Sequence, residues 1–457
     1  MFLSVEFESE FPMTRVLQRQ IHHSYPTAVA GDGPYVIDAT GKRYLDACGG
    51  AAVSCLGHSH RAVVDAIREQ LEKLPYAHTS FFTNEPSEEL AEFLTARAPE
   101  GLEHVYFISG GSEANETALK LARQYFVEIG QPRRATFIAR RQSYHGNTLG
   151  VLSVAGNPGR QAIFDPILAK NSLRIAPCYA YRDQRADESL EAYGRRAADE
   201  LETAILAAGP ETVAAFICEP VVGATLGAVP AVPGYLKRVR EICDKYGILL
   251  IFDEVMCGMG RTGTLFACEQ DGVAPDLLTS AKGLGAGYQP IGATLLSGKI
   301  FDAIAQGSGS FQHGFTYIGH PAACAGALAV QKAIESEKLL DNVQAQGDAL
   351  VSDLEARFGQ HPHVGDIRGR GLFIGLELVS DRGTKAPFAA SYRLNGRIKT
   401  EAMARGLMCY PGGGTVDGWT GDHILLAPPY ILEDSHRTEL VEKLGEAVEA
   451  ALSQVTT

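Results

Sequence analysis

The chain has 457 residues, of which 45% are hydrophobic and 21% charged, and its formal net charge is -13. This composition is typical of a globular protein with a large core, and it excludes a disordered chain. The acidic balance argues against a nucleic-acid-binding surface, and no run of 18 apolar residues is present to span a membrane. The nine cysteines form no CxxC pair and the 13 histidines form no HExxH spacing, so we predict neither a disulfide framework nor a metal site.

The N-terminal region carries a hairpin signal followed by a helix signal. Two short alternating strands flank an Ala-Thr-Gly-Lys turn within Asp32–Asp46, and a helix is expected over about Arg61–Lys73. Met1–Glu8 lacks the basic and apolar regions of a signal peptide, so we expect a cytoplasmic protein whose cysteines are reduced.

Strand and helix signals alternate between about residues 85 and 330. Helical patterns separate several of the apolar runs, which indicates a largely parallel sheet covered by helices. The runs are continuously apolar rather than alternating, as expected for a sheet that is buried on both faces. The predicted strands are His104–Ser109, Ala135–Ala139, Val213–Cys218, Gly247–Phe252, Leu277–Ser280 and Ile291–Ser297.

From about residue 331 the pattern changes to that of a smaller α+β unit. A long helix is expected through Leu340 and beyond. Strands are predicted at Gly371–Leu378 and His423–Ala427. A helix near Tyr392–Arg405 separates them, and a closing helix begins at Glu433.

The first candidate site is the turn Ser109–Glu116, where a strand ends and a helix begins near Ser112. Gly110 and Gly111 would let the backbone approach an anion, and the helix N-terminus offers unpaired N–H groups and a positive dipole end. The alternative is a plain helix cap at Ser112. No Gly-Lys-Ser/Thr follows, so this segment is not a nucleotide P-loop.

Two further segments carry weaker signals. Tyr144 and His145 follow the strand at Ala135–Ala139, where an aromatic side chain could stack on a flat ligand, although a Tyr-His pair is more often structural. Thr316 lies in His313–Pro321, where its hydroxyl could either bind phosphate or belong to an ordinary turn.

Asp253 and Lys282 form the most informative pair, because each stands at the end of an apolar strand, where a charge is costly unless it is paired. Burial lowers the pKa of a lysine and yields an amine that can condense with an aldehyde. A buried carboxylate is the partner that a protonated pyridine nitrogen needs. The pair therefore suggests a pyridoxal 5'-phosphate (PLP) enzyme. The alternatives are a surface lysine, and a carboxylate that caps a helix or pairs with Arg261.

Taken together, these segments resemble the class III (ω-) aminotransferases, which are PLP enzymes of fold type I. The resemblance implies an α/β fold with a large PLP-binding domain over residues 76–330, built on a mainly parallel seven-stranded sheet. It also implies a smaller α+β domain formed by both termini, residues 1–75 and 331–457. The matching blocks occur in family order over roughly residues 30 to 430: Ser109–Ala114, Ser143–Thr148, Cys218–Pro220, Phe252–Gly263, Thr279–Gly287, His313–Pro321 and Arg368–Leu378.

The resemblance implies roles for single residues. Lys282 would form the Schiff base with PLP and later shuttle a proton, while Asp253 would pair with the pyridine nitrogen. Tyr144 and Val255 would pack against opposite faces of the ring. At least a homodimer is implied, because one phosphate contact comes from a neighbouring subunit. The phosphate-binding residues would be Gly110, Gly111, Ser112 and, from that neighbour, Thr316.

Substrate recognition can be compared with the family in the same way. His145 and Glu219 occupy positions beside the cofactor or the substrate, and Arg368 matches an arginine that binds an α-carboxylate, a role that suits a guanidinium fork. Relatives that use γ-aminobutyrate or acetylornithine with 2-oxoglutarate often carry Arg and Gln where this chain has Asn147 and Met256. Both differences resemble the amine:pyruvate and ω-amino acid:pyruvate aminotransferases.

Two features of the site rim complete this comparison. A flexible arginine that some relatives use has no clear equivalent, and the segment Cys409–His423 stands in its place, where its glycines predict a mobile loop. Tyr76, Phe81 and Phe82 are candidates for an apolar wall of the site, and core packing accounts for them equally well.

The expected reaction is transfer of an amino group from an amine or ω-amino acid to a small oxo acid, with pyruvate as first choice, by a ping-pong mechanism. A PLP-dependent aminomutase or a decarboxylating aminotransferase is the nearest alternative, because such enzymes share the lysine and the aspartate. A PLP-binding regulator would need a DNA-binding module, and a structural phosphate-binding protein would be colourless. The expected partners are small-molecule donor and acceptor, with neither nucleic acid nor membrane.

Overall fold

The computed structural model describes residues 14–455. The strands β1 to β17 are Ala28–Asp32, Tyr35–Asp38, Arg43–Asp46, Leu102–Ile108, Thr136–Arg140, Ser172–Ile175, Val213–Cys218, Val221–Val222, Val229–Pro230, Leu249–Asp253, Leu277–Ser280, Gly292–Ser297, Val364–Arg370, Phe373–Leu378, Leu407–Met408, Tyr410–Gly413 and Asp422–Leu426. The α-helices α1 to α14 are Gly49–Ala52, Arg61–Lys73, Glu85–Thr95, Gly111–Glu128, Leu149–Val154, Pro158–Gln161, Ala180–Asp183, Leu190–Ala208, Tyr235–Tyr246, Gly298–Gln306, Pro321–Ser336, Leu339–Phe358, Leu394–Ala404 and Asp434–Ser453. Short 3-10 helices lie at Asp165–Ile167, Pro210–Thr212, Ala267–Asp271, Lys282–Leu284 and Ala390–Tyr392.

A seven-stranded sheet organises the middle of the chain, in the order β4-β12-β11-β10-β7-β5-β6. β12 runs antiparallel to its neighbours β4 and β11, and the remaining pairs are parallel. The central strands β7, β10, β11 and β12 are buried along their whole length, which is why their sequences are continuously apolar. The mainly parallel sheet of the α/β fold is therefore confirmed. Because β10 and β11 are parallel neighbours, Asp253 and Lys282 reach the same edge of the sheet.

The sequence-based prediction recovers six of these seven strands and misses β6. Val213–Cys218 and Leu277–Ser280 agree to the residue, as does the helix Arg61–Lys73. β6 is a four-residue edge strand, Ser172–Ile175, of which only the last residue is buried. An edge strand of this kind has no continuous apolar run, because one side of it faces solvent.

The two ends of the described chain contribute to one region. β15 pairs in parallel with β3, so the N-terminal hairpin and the C-terminal part share the sheet β1-β2-β3-β15. A second four-stranded sheet has the order β13-β14-β17-β16. Leu45 and Cys55 pack in one core with Leu426 and Leu440. This arrangement agrees with a small domain built from both termini, and the boundaries at residues 75 and 330 stay a prediction.

Two expectations for the C-terminal part are wrong, and one strand is missed. The long helix is two helices, α11 and α12, because Lys338 between them adopts a left-handed conformation with φ 55°. The strand β13, whose residues beyond Val364 are only partly buried, is absent from the prediction. The glycine-rich segment is not a loop throughout, because its first part is β16, which pairs with β17. Gln142 Nε2 donates to the carbonyl of Thr415 at 2.8 Å and holds the turn that follows.

Two further properties complete the fold. Across residues 14–455, no helix is both long enough and apolar enough to cross a membrane. All nine cysteines are buried and free of disulfides.

Candidate active site

A cavity of about 1300 Å³ lies at the edge of the central sheet where β10 and β11 end. The wall combines the N-terminus of α4 with the segments that follow β5, β7, β10 and β11, and with part of the C-terminal region. Of the residues predicted from sequence, Thr316, Arg368 and the candidate wall residues Tyr76, Phe81 and Phe82 do not line it. Those that do are Gly110, Gly111, Ser112, Tyr144, His145, Glu219, Asp253, Val255 and Lys282.

Lys282 follows β11 in a backbone conformation that is unusual for a residue with a side chain, with φ 40°. Backbone strain of this kind is typical of functional sites. The side chain is only partly accessible to solvent, and it lines the cavity. Burial lowers the pKa of Lys282 to about 8, while the carboxylates of Asp253 and Glu219 act in the opposite direction. Lys282 is therefore not a surface lysine, and its pKa gives it a larger fraction of nucleophilic amine than an ordinary lysine has at the same pH.

Asp253 is buried and is held by three donors. Its Oδ2 accepts hydrogen bonds from His145 Nδ1 and from Asn115 Nδ2, both at 2.8 Å. Its Oδ1 accepts from the backbone N–H of Val255 at 3.0 Å. These contacts orient the carboxylate, which lines the cavity and can stabilise a cation there.

Arg261, the alternative partner of Asp253, is committed elsewhere. Its Nη1 donates to the carbonyls of Leu372 at 3.1 Å and of Pro428 at 2.5 Å, and its guanidinium lies 4.6 Å from the centre of the Tyr430 ring. No α-helix begins at Asp253 within the described chain. Both structural alternatives for this carboxylate are therefore wrong.

Asn115 is a site residue that the sequence analysis misses. Its Nδ2 also donates to the carbonyl of His145 at 2.7 Å, and its Oδ1 accepts from Thr279 Oγ1 at 2.8 Å. The amide thereby ties α4 to β11 and to the carboxylate at the end of β10. The available signal is its place in the block Ser109–Glu116, where a polar residue is buried on the helix.

The N-terminus of α4 faces the cavity with its first N–H groups uncapped by any side chain. The helix begins at Gly111, with Gly110 as its cap residue, so the alternative of a cap at Ser112 is wrong. A Cβ atom at Gly111 would lie 2.7 Å from Val255 Cγ1, which explains why a glycine is needed there. Ser112 Oγ accepts from the backbone N–H of Asn147 at 3.0 Å. Free N–H groups at a helix N-terminus suit a phosphate.

Tyr144 and Glu219 form another part of the wall. Glu219 Oε1 accepts from the backbone N–H of Tyr144 at 3.2 Å, and its Oε2 accepts from the N–H of Gly223 at 2.9 Å. Burial raises the pKa of Glu219. The side chain of Glu219 thus fixes the backbone that carries the Tyr144 ring into the cavity.

Arg368 lies outside the cavity, and its guanidinium is already used. Its Nε donates to the carbonyl of Gly227 at 2.9 Å, its Nη1 to Asp366 Oδ2 at 3.0 Å, and its Nη2 to Glu377 Oε2 at 2.8 Å. A carboxylate ligand would have to displace these partners of a buried cation, which is costly. The predicted contact between Arg368 and a substrate carboxylate is therefore absent from this arrangement.

Thr316 and the predicted apolar wall lie at the surface of the chain. Thr316 is exposed, and its carbonyl accepts from the hydroxyl of Tyr76 at 2.9 Å. Phe81 and Phe82 are 78% and 67% exposed and do not line the cavity. Within one chain, these phenylalanines therefore belong neither to the wall of the site nor to the core.

The same fold recurs in solved ω-transaminases. A thermostable (S)-enantioselective ω-transaminase from Thermomicrobium roseum shares 38% identity and superposes with a TM-score of 0.88, and the match covers 94% of each chain. The ω-transaminase of Pseudomonas jessenii, solved in complex with PMP, shares 38% identity with a TM-score of 0.89 over 94% of each chain. The fold is that of the fold type I PLP enzymes.

Sequence relatives lead to the same family. The profile of the aminotransferase class-III family matches residues 17–448. An uncharacterised aminotransferase of Schizosaccharomyces pombe is 44% identical over 94% of both chains. The gamma aminobutyrate transaminase 3 of Solanum lycopersicum, a chloroplastic protein, is 38% identical over 93% of this chain and 80% of its own. The chain belongs to the class III aminotransferase family and is a PLP-dependent aminotransferase.

The residues of the cavity fit PLP. Lys282 supplies an amine with a lowered pKa, Asp253 a buried carboxylate, and the N-terminus of α4 a set of uncapped N–H groups. A Cβ atom at Gly110 would meet nothing within 4 Å, so the backbone there is open to a ligand. When it is bound, PLP supplies an electron sink for bonds to the substrate carbon.

The lowered pKa of Lys282 predicts how the apoprotein takes up PLP. Only the neutral amine condenses with an aldehyde, and burial brings its pKa from 10.5 to about 8. The neutral fraction therefore increases as pH rises through about 8. We expect the rate of PLP uptake, followed by stopped-flow absorbance, to increase about tenfold between pH 7 and pH 9 and then to level off. A rate that keeps climbing beyond pH 10 would indicate an ordinary lysine.

Proposed function

We propose that this protein transfers an amino group from a primary amine or an ω-amino acid to a small oxo acid, with pyruvate as acceptor, by a ping-pong mechanism. The observation that carries the proposal is the placement of Lys282, with its lowered pKa, in one cavity with the buried carboxylate of Asp253. Asn147 and Met256 support the choice of substrate, because both resemble the pyruvate-dependent relatives. The likeness to solved ω-transaminases supports it as well.

Each residue of the site has its own role in this reaction. Lys282 Nζ, once it is a free amine, takes the proton from the reacting carbon of the donor. In the second half-reaction it returns a proton to the reacting carbon of the acceptor. Asp253, oriented by His145 and Asn115, stabilises a positive charge on the pyridine nitrogen of the cofactor. Tyr144 covers a face of the cavity and limits the access of water to the site.

We also propose a homodimer in the cytoplasm. Phe81, Phe82 and Tyr317 are exposed, and Tyr317, which follows Thr316, has its ring 5.8 Å from that of Tyr76. Exposed aromatic side chains of this kind are typical of an interface. A second copy would cover them and could bring its Thr316 to the phosphate. Nine free, buried cysteines suit a reducing compartment. Sedimentation analysis of the holoenzyme tests the oligomeric state.

A substrate panel tests the reaction. We expect the yellow holoenzyme to lose its absorbance with amines or ω-amino acids and to regain it with pyruvate, one amino group per site. Each candidate donor should be tested against both pyruvate and 2-oxoglutarate. An aminomutase would instead consume its substrate without a stoichiometric requirement for oxo acid, and a decarboxylating aminotransferase would release one CO2 for each amino group transferred. Either result would contradict the proposal.

A further inference from the structure

Arg160 is a cation of the cavity wall that none of the roles above uses. The lysines and arginines that line the cavity are Arg19, Arg160, Lys282 and Lys399. Lys282 is committed to the reaction itself. Among the other three, Arg160 contacts a site residue, because its guanidinium carbon lies 4.7 Å from the centre of the Tyr144 ring. Its positive charge therefore lies beside the Tyr144 ring, and both residues line the cavity.

The backbone that carries Arg160 is held in place. Arg160 belongs to α6, where its backbone N–H donates to the cap residue Asn157 at 3.2 Å. The next residue, Gln161, donates from Nε2 to the carbonyls of Leu152 at 2.7 Å and of Ala155 at 2.6 Å. A binding group on an anchored helix loses less entropy when it engages a ligand.

The glycine-rich segment covers the other side of α6. A Cβ atom at Gly159 would lie 3.5 Å from the Trp419 ring, and one at Gly418 would lie 2.6 Å from Pro158 Cδ. The segment Cys409–His423 contains no lysine or arginine, so it contributes packing here rather than a cation. The cation at this edge of the cavity comes from α6 instead.

Arg160 has no carboxylate partner of its own. In residues 14–455, no Asp or Glu oxygen lies within the 4.0 Å of an ion pair from its guanidinium. Arg368 differs in this respect, because it pairs with Asp366 and Glu377 and is buried away from the cavity. An exposed guanidinium at a cavity wall can engage a carboxylate with two parallel hydrogen bonds.

We propose that Arg160 binds the carboxylate of the substrate, both of the oxo acid acceptor and of an ω-amino acid donor. This inference rests on the proposed function. It names Arg160 as the residue that gives the enzyme its specificity for substrates with a carboxylate. A donor without a carboxylate would not need Arg160, and its hydrocarbon part could pack in the same space. The chain can then accept acids and simple amines in one cavity.

The test compares matched ligands in separate half-reactions. In the first half-reaction, the PLP form is mixed with 4-aminobutyrate or with butylamine. In the second, the form that carries pyridoxamine 5'-phosphate (PMP), prepared directly from apoprotein and PMP, is mixed with pyruvate or with propanal. We expect Arg160→Ala to raise the half-saturating concentration of both acids about 10- to 100-fold. We expect its rates with butylamine and propanal to stay within about twofold of wild type. Arg160→Lys should retain part of the affinity, since it keeps the charge but loses the fork.

Arg141→Ala is the matched control, because Arg141 is an exposed arginine of the same region that does not line the cavity. It should leave all four half-reactions unchanged. An Arg160→Ala enzyme with unaltered saturation by both acids, or with equal losses for ligands with and without a carboxylate, would overturn the inference. Failure of the proposed function would give a different result. In that case the absorbance of the wild-type enzyme would change with none of these ligands.

Discussion

Replacement of Lys282 with alanine is expected to reduce transamination by a factor on the order of 10⁴. The variant loses the amine that would anchor the cofactor and move the proton. Among the described residues, the other lysine that lines the cavity is Lys399 of α13, which follows no strand of the central sheet. The variant should still fold, because within residues 14–455 Lys282 forms no ion pair that its removal would break. The nearby carboxylate of Asp253 keeps its partner His145. Turnover with the best donor of the panel and pyruvate measures the effect.

Borohydride reduction of the yellow holoenzyme tests the same residue directly. We expect peptide mapping to find the label on Lys282 in the wild-type enzyme and nowhere in Lys282→Ala. Lys332→Ala serves as the control, because Lys332 is an exposed lysine on α11 that lies 3.8 Å from Glu89 and does not line the cavity. It should keep both the label and the activity. A label on any other lysine would overturn the assignment of the reactive amine.

Replacement of Asp253 with asparagine is expected to lower the rate of each half-reaction about 10²- to 10³-fold. Asparagine has nearly the same shape, but its single carbonyl oxygen can accept either from Val255 or from His145 and Asn115, and it carries no charge to hold a proton on the pyridine nitrogen. Lys282 and the N-terminus of α4 are unchanged, so the variant should bind PLP in near-normal amount yet react slowly. Rapid-mixing absorbance with a single donor separates the slow step from loss of cofactor.

Glu254→Gln is the matched control for Asp253→Asn. Glu254 is the adjacent buried acid, but it accepts hydrogen bonds from the backbone of Ala267 and Cys268 and does not line the cavity. Burial raises the pKa of Glu254 to about 7, so near neutral pH much of its population is already uncharged. We expect the half-reactions of Glu254→Gln to stay close to wild type. Equal losses in the two variants would mean that Asp253 acts through the fold and not through its charge.

The candidate site divides into residues that sequence could indicate and residues that it could not. Lys282 and Asp253 follow apolar strands, and parallel strands bring such ends together, so a local pattern is enough to predict their meeting. Asn115 and Arg160 carry no comparable signal, because each contacts the site through a helix whose approach depends on packing. Arg368 shows the opposite case, since its motif suggests a ligand contact while neighbouring carbonyls and Glu377 take up its donors.

The sequence alone determined the class of fold, the central strands β7 and β11 and the helix α2, because continuous apolar runs are local properties. It also predicted Lys282 as the reactive lysine, from its place at the end of such a run. The tertiary structure decided which groups the charged side chains contact. Whether a guanidinium faces a cavity, as Arg160 does, or satisfies buried carbonyls, as Arg368 does, depends on distant segments that pack around it. Those contacts are long-range, and hydrophobic periodicity along the chain does not encode them.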